Sequence, residues 1–414
     1  MTLHFRLLVL GFAIAIAAPA TAADWPRFRG PNGSGISTEN APTQFTKDNL
    51  AWKTEIPGIG HSSPIIVGKK VFIQTASKDG ATRSMICIDA DTGKMLWNQN
   101  VPGATSKIHK KNSLASGTPV SDGTIVAGTF WDGDKVSLAA FDMEGKSLWT
   151  AELGGFASQH GPGHSPIIVK GLVIVNFDQD PSAKLVAFDA KTGKEKWSVD
   201  REKYRASYST PIVTERDGKT ELIVGTITSI DGYAPETGKV VWSYPIKWAS
   251  GGMPLRAVAG PVLSDDYISL AMGDGGGSRY MLTIQPGKDG AKKIWDAKKD
   301  TPYVPNQIAY EGYLYWLHDA GLAVCADAKT GKVQWSERVI QRGAISSSPI
   351  LVKDTMLIIA EDGTAVSFKA SPKGLEKVGE SKVGEAVFST PAVADGKLFI
   401  RGATHLFCYA QKGS

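Results

Sequence analysis

The chain has 414 residues, 42% of them hydrophobic and 21% charged, a balance that excludes disorder as its main state. Its 46 basic and 41 acidic residues leave a formal charge of +5 with no long basic block, so the charge pattern argues against a nucleic-acid partner. Glycine, at 45 residues, predicts many tight turns.

Residues 1–23 read as a secretory signal peptide. Arg6 supplies the positive start, Leu7 to Ala18 an apolar stretch too short to span a membrane, and Ala20-Thr21-Ala22 a small-residue cleavage pattern after Pro19. No cysteine follows the cleavage point, so no lipid anchor is expected. No later stretch is apolar enough for a transmembrane segment, and a periplasmic or secreted protein is expected. Residues 24–44 read as an N-terminal extension and 45–414 as one repeat domain.

The repeat is visible as Asp89-Ala90-Asp91-Thr92-Gly93-Lys94-Met95-Leu96-Trp97, which recurs at Asp189 to Trp197 and at Asp327 to Trp335. Looser copies end at Trp149, Trp242 and Trp295, and another reaches Val378 where Trp is expected. Each copy follows a Ser/Thr-Pro pair or its equivalent, at Pro64, Pro119, Pro166, Pro211, Pro261, Gln307, Pro349 and Pro391. Short apolar runs separated by glycine turns, about 45 residues per unit, predict an all-β, eight-bladed β-propeller of four-stranded antiparallel blades. The eighth copy ends at Phe407-Cys408-Tyr409 without a Trp, whereas Trp52 near the start has no copy of its own. The N-terminal strand is therefore expected to close the ring, and each Trp to pack between neighbouring blades. Cys87, Cys325 and Cys408 align at one strand-three position that elsewhere holds Ala140, Ala187, Gly232 or Ser367, which predicts free, buried thiols.

These repeats resemble the PQQ-like β-propeller superfamily, which includes quinoprotein alcohol dehydrogenases and BamB-like proteins. Asp24-Trp25-Pro26-x-Phe28-Arg29-Gly30-Pro31, His109 to Ser116 and Pro302 to Pro305 are similar to stretches of a secreted bacterial group within it. The quinoprotein branch implies a cofactor, PQQ, covered by a disulfide between adjacent cysteines and flanked by a calcium site. No Cys-Cys pair exists here and no calcium motif is evident, and the lipidation cysteine implied by BamB is absent as well.

The repeat sorts loops by face. His61, His109, His160 and His164 fall in loops leading into first strands, and His318 and His405 at strand-two to strand-three turns. All belong to one end of the ring. Lys111, Asn112, Tyr208, Asp178, Asp180, Asp274 and Arg401 fall at the same end, with Lys110, Tyr303, Asp319 and Glu361. Such a set, around a central funnel, suits a metal, a cofactor or a polar ligand. His160 and His164 have metal spacing only on a helix, which Gly161-Pro162-Gly163 forbids, so no metal site is assigned. Asp178-Gln179-Asp180 reads either as a calcium-type turn or as an ordinary acidic cap. Asp274-Gly275-Gly276-Gly277 has the flexibility to approach a phosphate but no following helix. Arg401 either reads a carboxylate or pairs with a neighbouring acid. No nucleophile elbow is visible. The expectation is an exported, non-catalytic binding or scaffold propeller for a protein partner or small polar ligand, with pH dependence near 6–7 from its histidines. The alternative is a PQQ-dependent oxidoreductase with an atypical site. No cofactor is assigned, PQQ and calcium being the candidates under that alternative.

Overall fold

The computed structural model describes residues 24–202, 204–247, 255–288 and 290–411; the signal-peptide reading of residues 1–23 lies outside them. Among the described residues, eight antiparallel sheets form a β-propeller. Blade 1 comprises Ile65–Val67, Lys70–Ala76, Thr82–Asp89 and Met95–Pro102. Blades 2 to 7 span 120–155, 167–201, 212–245, 262–297, 308–338 and 350–382. Blade 8 joins Ala392–Ala394, Lys397–Arg401 and His405–Ala410 to Leu50–Glu55 from the start of the chain. That last strand pairs Trp52 with Cys408 and Lys53 with Phe407, so the ring closes as the orphan Trp52 predicted.

The repeat motif is a clasp between blades. In blade 3, Asp189 Oδ1 accepts from the Thr192 amide and hydroxyl and so shapes the turn. That turn places Gly193, at φ +68°, beneath the Trp149 indole of blade 2, so close that a Cβ would lie 2.6 Å from the ring. The Trp149 indole N–H then donates to the Ala190 carbonyl of blade 3 at 2.9 Å. Equivalent bonds of 2.7–3.1 Å run from Trp52, Trp97, Trp197, Trp295 and Trp335 to the next blade. One ring, half-buried at all of these seams but that of the buried Trp335, thus seals each of them and satisfies its own donor.

Directly across the sheet from the Trp sits the small strand-three residue: Cys87 opposite Trp97, Cys325 opposite Trp335, Cys408 opposite Trp52, Ala140 opposite Trp149. The three cysteines are free and buried, and burial pushes the Cys87 and Cys408 thiols up to about 12 and Cys325 up to about 11. The residue before each Trp is bulged out of the ladder, which twists the outer edge and discourages edge pairing. This accounts for the exposure of Leu96, Leu148 and Val241. It also corrects the alignment in blade 7. Val378 is the bulged residue, and Gly379, paired with Ser367, holds the Trp position. There the Gln44 side chain covers Gly379 and donates to the Val378 carbonyl at 3.1 Å, filling the place of the missing ring.

The N-terminal extension runs across the ring at the end opposite the histidine loops. Trp25 bridges Ile66 of blade 1, and the Pro26 carbonyl accepts from Ser121 of blade 2. Arg27 donates to the Pro211 carbonyl and Asn32 exchanges two bonds with Val213, both in blade 4. Arg29 reaches the Gln307 carbonyl of blade 6 at 2.7 Å. Ile36–Ser37 then adds a parallel strand to blade 7, and Glu39 accepts from Gly396 of blade 8. The extension is a strap that stops one end of the central channel.

Candidate functional site

At the open end of the ring lies a funnel of about 820 Å³, with Phe28 of the strap on its wall. Its deep collar is the Ser/Thr that precedes the proline in successive blades. The Asn306 amide donates to Ser348 Oγ, Ser348 to Thr390, Thr390 to Ser63, Ser63 to Thr118, and Thr118 to Ser165, at 2.9–3.2 Å. Each of these five hydroxyls accepts one backbone N–H, and among the described residues none is seen donating to a protein acceptor. A hydroxyl retains one proton to give, so the collar offers donors to whatever enters.

Of the residues expected at the site, His61, His109, Lys111, Asn112, His160, Tyr208 and Asp274 border the funnel. His61 stacks on Phe388 with ring centroids 4.3 Å apart, and His109 meets His160 at 4.5 Å. Asn112 donates to the His160 carbonyl at 2.7 Å and to the Pro162 carbonyl at 3.1 Å, fixing the two loops together. Lys111 reaches across the mouth to ion-pair with Glu361 of blade 7. The Tyr208 hydroxyl donates to the Gly161 carbonyl at 3.0 Å, and burial pushes its pKa up to about 12.

Asp274 Oδ1 accepts from the Gly276 and Ser278 amides of its own turn. Asp319 is paired with Arg279 at 2.6 Å, and Glu361 is engaged by Lys111 and Ser346. The carboxylates of the mouth are therefore spent on the protein itself.

The other expected residues stand elsewhere. His164 is buried behind the funnel, 5.6 Å from the Tyr208 ring and against Phe156 and Phe177. Asp178 is a buried partner of Arg201, not a calcium-type turn residue; burial pushes its carboxyl up against the pull of that guanidinium. Asp180 Oδ1 accepts from the Ala206 amide at 2.8 Å. His318 Nδ1 accepts from the Ala320 amide, and His405 pairs with Glu385. Arg401 pairs with no acid among the described residues. It is buried and donates to the Ser62 and Gln74 carbonyls. The pH expectation also changes. Desolvation lowers His61, His160 and His164 to about 4, helped at His61 by Arg401 and at His160 by Arg256, so these rings are neutral at pH 6–7.

The sequence reading passed over Phe28, Arg205, Arg256 and Arg279, which also border the funnel. Arg205 and Arg256 lie in loops leading into first strands, the same loop class that singled out the histidines. That class was the available signal.

The family profile described as outer membrane protein assembly factor BamB matches residues 84–337 and 288–374. The chain belongs to the BamB family. The BamB of Yersinia pestis is 20% identical over 371 residues, covering 86% of this chain and 87% of that protein. BamB from Moraxella catarrhalis superposes with a TM-score of 0.65 at 14% identity, over 87% of this chain and 99% of that one, a likeness of fold. Outside the BamB proteins, the dehydrogenase subunit of the alcohol dehydrogenase (quinone) of Komagataeibacter europaeus is 36% identical over 125 residues. That match covers 27% of this chain and 16% of the relative. Among the described residues, no helix is long and apolar enough to cross a membrane.

Proposed function

We propose that this BamB-family chain is an exported, non-catalytic binding propeller, periplasmic or secreted, which holds a protein partner or small polar ligand at its funnel face. The observation that carries this reading is the blind funnel, about 820 Å³ deep in a ring whose other end is stopped by the strap. Concave sites of this size are where ligands bind. The assembly-factor description of its relatives agrees with a scaffold role.

The oxidoreductase alternative draws on the short match to the quinone-linked dehydrogenase. The residues present do not fit a calcium–quinone site. The mouth carboxylates are engaged by Arg279, Lys111 and their own turns, and no three His, Cys, Asp or Glu side chains converge among the described residues. The cysteines are buried in three different blades.

The test is capture from a periplasmic extract by immobilised mature protein. Charge reversal at the mouth, Lys110→Glu with Lys111→Glu, is expected to release what the native protein captures. Lys194→Glu with Lys332→Glu on the opposite turns is expected to leave capture intact. The reverse pattern overturns the reading. Saturable PQQ binding with dye-linked alcohol oxidation would establish the alternative.

A further inference from the structure

Arg256 sits on the funnel wall, 3% exposed, with no partner for its Nε among the described residues. Tyr303 borders the same wall, and among the described residues no carboxylate lies within ion-pair distance of the Arg256 guanidinium. Arg205, Tyr208 and neutral His160 flank the same wall. A buried guanidinium without a counter-anion is costly unless something supplies the negative charge.

The surroundings make that demand stronger. Arg27 and Arg29 of the strap and Arg401 behind the His61 loop are all buried, bonded to backbone carbonyls, and absent from every ion pair among the described residues. Desolvation lowers each to about 9, still charged at neutral pH. Lys110 adds a further cation at the mouth. Fixed positive charge around a blind, low-dielectric hole focuses potential into it. The hydroxyl collar at its base gives hydrogen bonds that suit oxygen acceptors.

We infer that the wall formed by Arg205, Tyr208, Arg256 and Tyr303 is a docking site for the oxyanion group, carboxylate or phosphate, of a small organic anion. Arg256 supplies a planar fork of donors matched to two oxygens of such a group. The body of the ligand extends toward the His61–Phe388 stack across the funnel. This inference rests on the funnel being the binding site and adds the class of ligand.

The experiment is calorimetric titration of the mature chain with two probes, citrate and inorganic phosphate, each at low and high salt. Saturable binding of at least one probe, weakened by salt, is expected; which one binds assigns the group as carboxylate or phosphate. Arg256→Gln is expected to weaken binding at least tenfold, and Arg256→Lys to recover part of it. Arg205→Gln, at a half-buried position, and Tyr303→Phe provide variants less demanding on folding, and each is expected to weaken binding severalfold. Lys332→Glu on the opposite face is the control and is expected to bind as the native chain does. Binding of neither probe, or equal binding by the Arg256 and Arg205 variants, overturns the inference. If partner capture still depends on the mouth lysines in that event, only the oxyanion assignment falls and the binding-propeller reading stands.

Discussion

The seam between blades 2 and 3 and the seam between blades 4 and 5 use a fourth-strand Trp in different ways. At the first, Trp149 crosses to blade 3, bonding Ala190 and lying on Gly193. At the second, Trp242 turns back within its own blade and donates to Glu221 at 2.8 Å, with Arg216 over its ring and paired to the same carboxylate. Blade 5 offers no Asp-x-x-Thr-Gly turn to receive it; its outer hairpin runs from Arg279–Gly287 into Gly290–Ala297. Apolar packing holds this seam without the clasp, with Ile223 and Ile230 of blade 4 against Leu270, Leu282 and Ile284 of blade 5, and a comparable cluster also lies between blades 2 and 3. The motif is therefore a local device added to the apolar packing that both seams share, and the ring closes with one seam that lacks it.

The largest test of how seams are held concerns the pair of ends. Deleting residues 24–56 removes both the strap and the closing strand, leaving blade 8 with a bare edge. Loss of cooperative thermal unfolding is expected; a melt like that of the full mature chain would show that closure is ornamental. A finer test is Gly193→Ala against Gly218→Ala. Both positions have φ near +70°, but only at Gly193 would the Cβ meet a neighbour. Left-handed strain plus overpacking predicts a loss of about 4 kcal/mol at Gly193, and strain alone about 1 kcal/mol at Gly218. Equal losses in denaturant titrations would show that the Gly193–Trp149 contact adds nothing to the seam.

His164 tests the funnel end of the same blades. It is fully buried and held to about 4, whereas in the unfolded chain it titrates at its ordinary 6.5. Between those values the unfolded state binds the extra proton, so stability falls as pH drops from 6.5 toward 4. The share from His164 is about 3 kcal/mol at pH 4. His164→Phe is expected to flatten the stability–pH curve in that window; an unchanged slope would contradict the burial argument. The smallest effect is at the clasp's small-residue seat. Cys325→Ala, which reproduces the residue found in other blades, is expected to cost less than about 1 kcal/mol. Thiol titration is expected to find three reactive groups in denaturant without reductant and none in the native chain.

The ring was legible in the sequence because clasp and collar repeat with the blade, and a repeated pattern reveals its own geometry. The site was legible only as far as loop class goes. Alternation along the chain decides which side chain faces the funnel, and neighbouring residues differ: Ser165 lines it whereas His164 points behind it. Arg401, last residue of its strand, likewise turns away from the funnel, toward blade 1. Asp178 was mistaken for a loop acid because its partner Arg201 lies at the far end of another strand. Arg256 carries no repeat signal of its own, since its loop length and sequence differ from those of the other blades and only the fold turns it to the funnel wall. The role of residues 24–44 could not be read at all, since they belong to no repeat and their partners are remote in sequence.

That remoteness has a kinetic meaning. Arg27, Asn32 and Arg29 bond to residues 184, 181 and 278 positions further along. The strap precedes all eight blades in the chain, yet its seats in blades 4, 6 and 7 come from segments well over a hundred residues later. Early blades can nucleate from nearby hairpins, whereas the strap must wait, and contacts of such long range are slow to form. The strap lies ahead of every blade in the chain and is expected to be among the last elements seated, a channel stopper that locks a ring already largely formed.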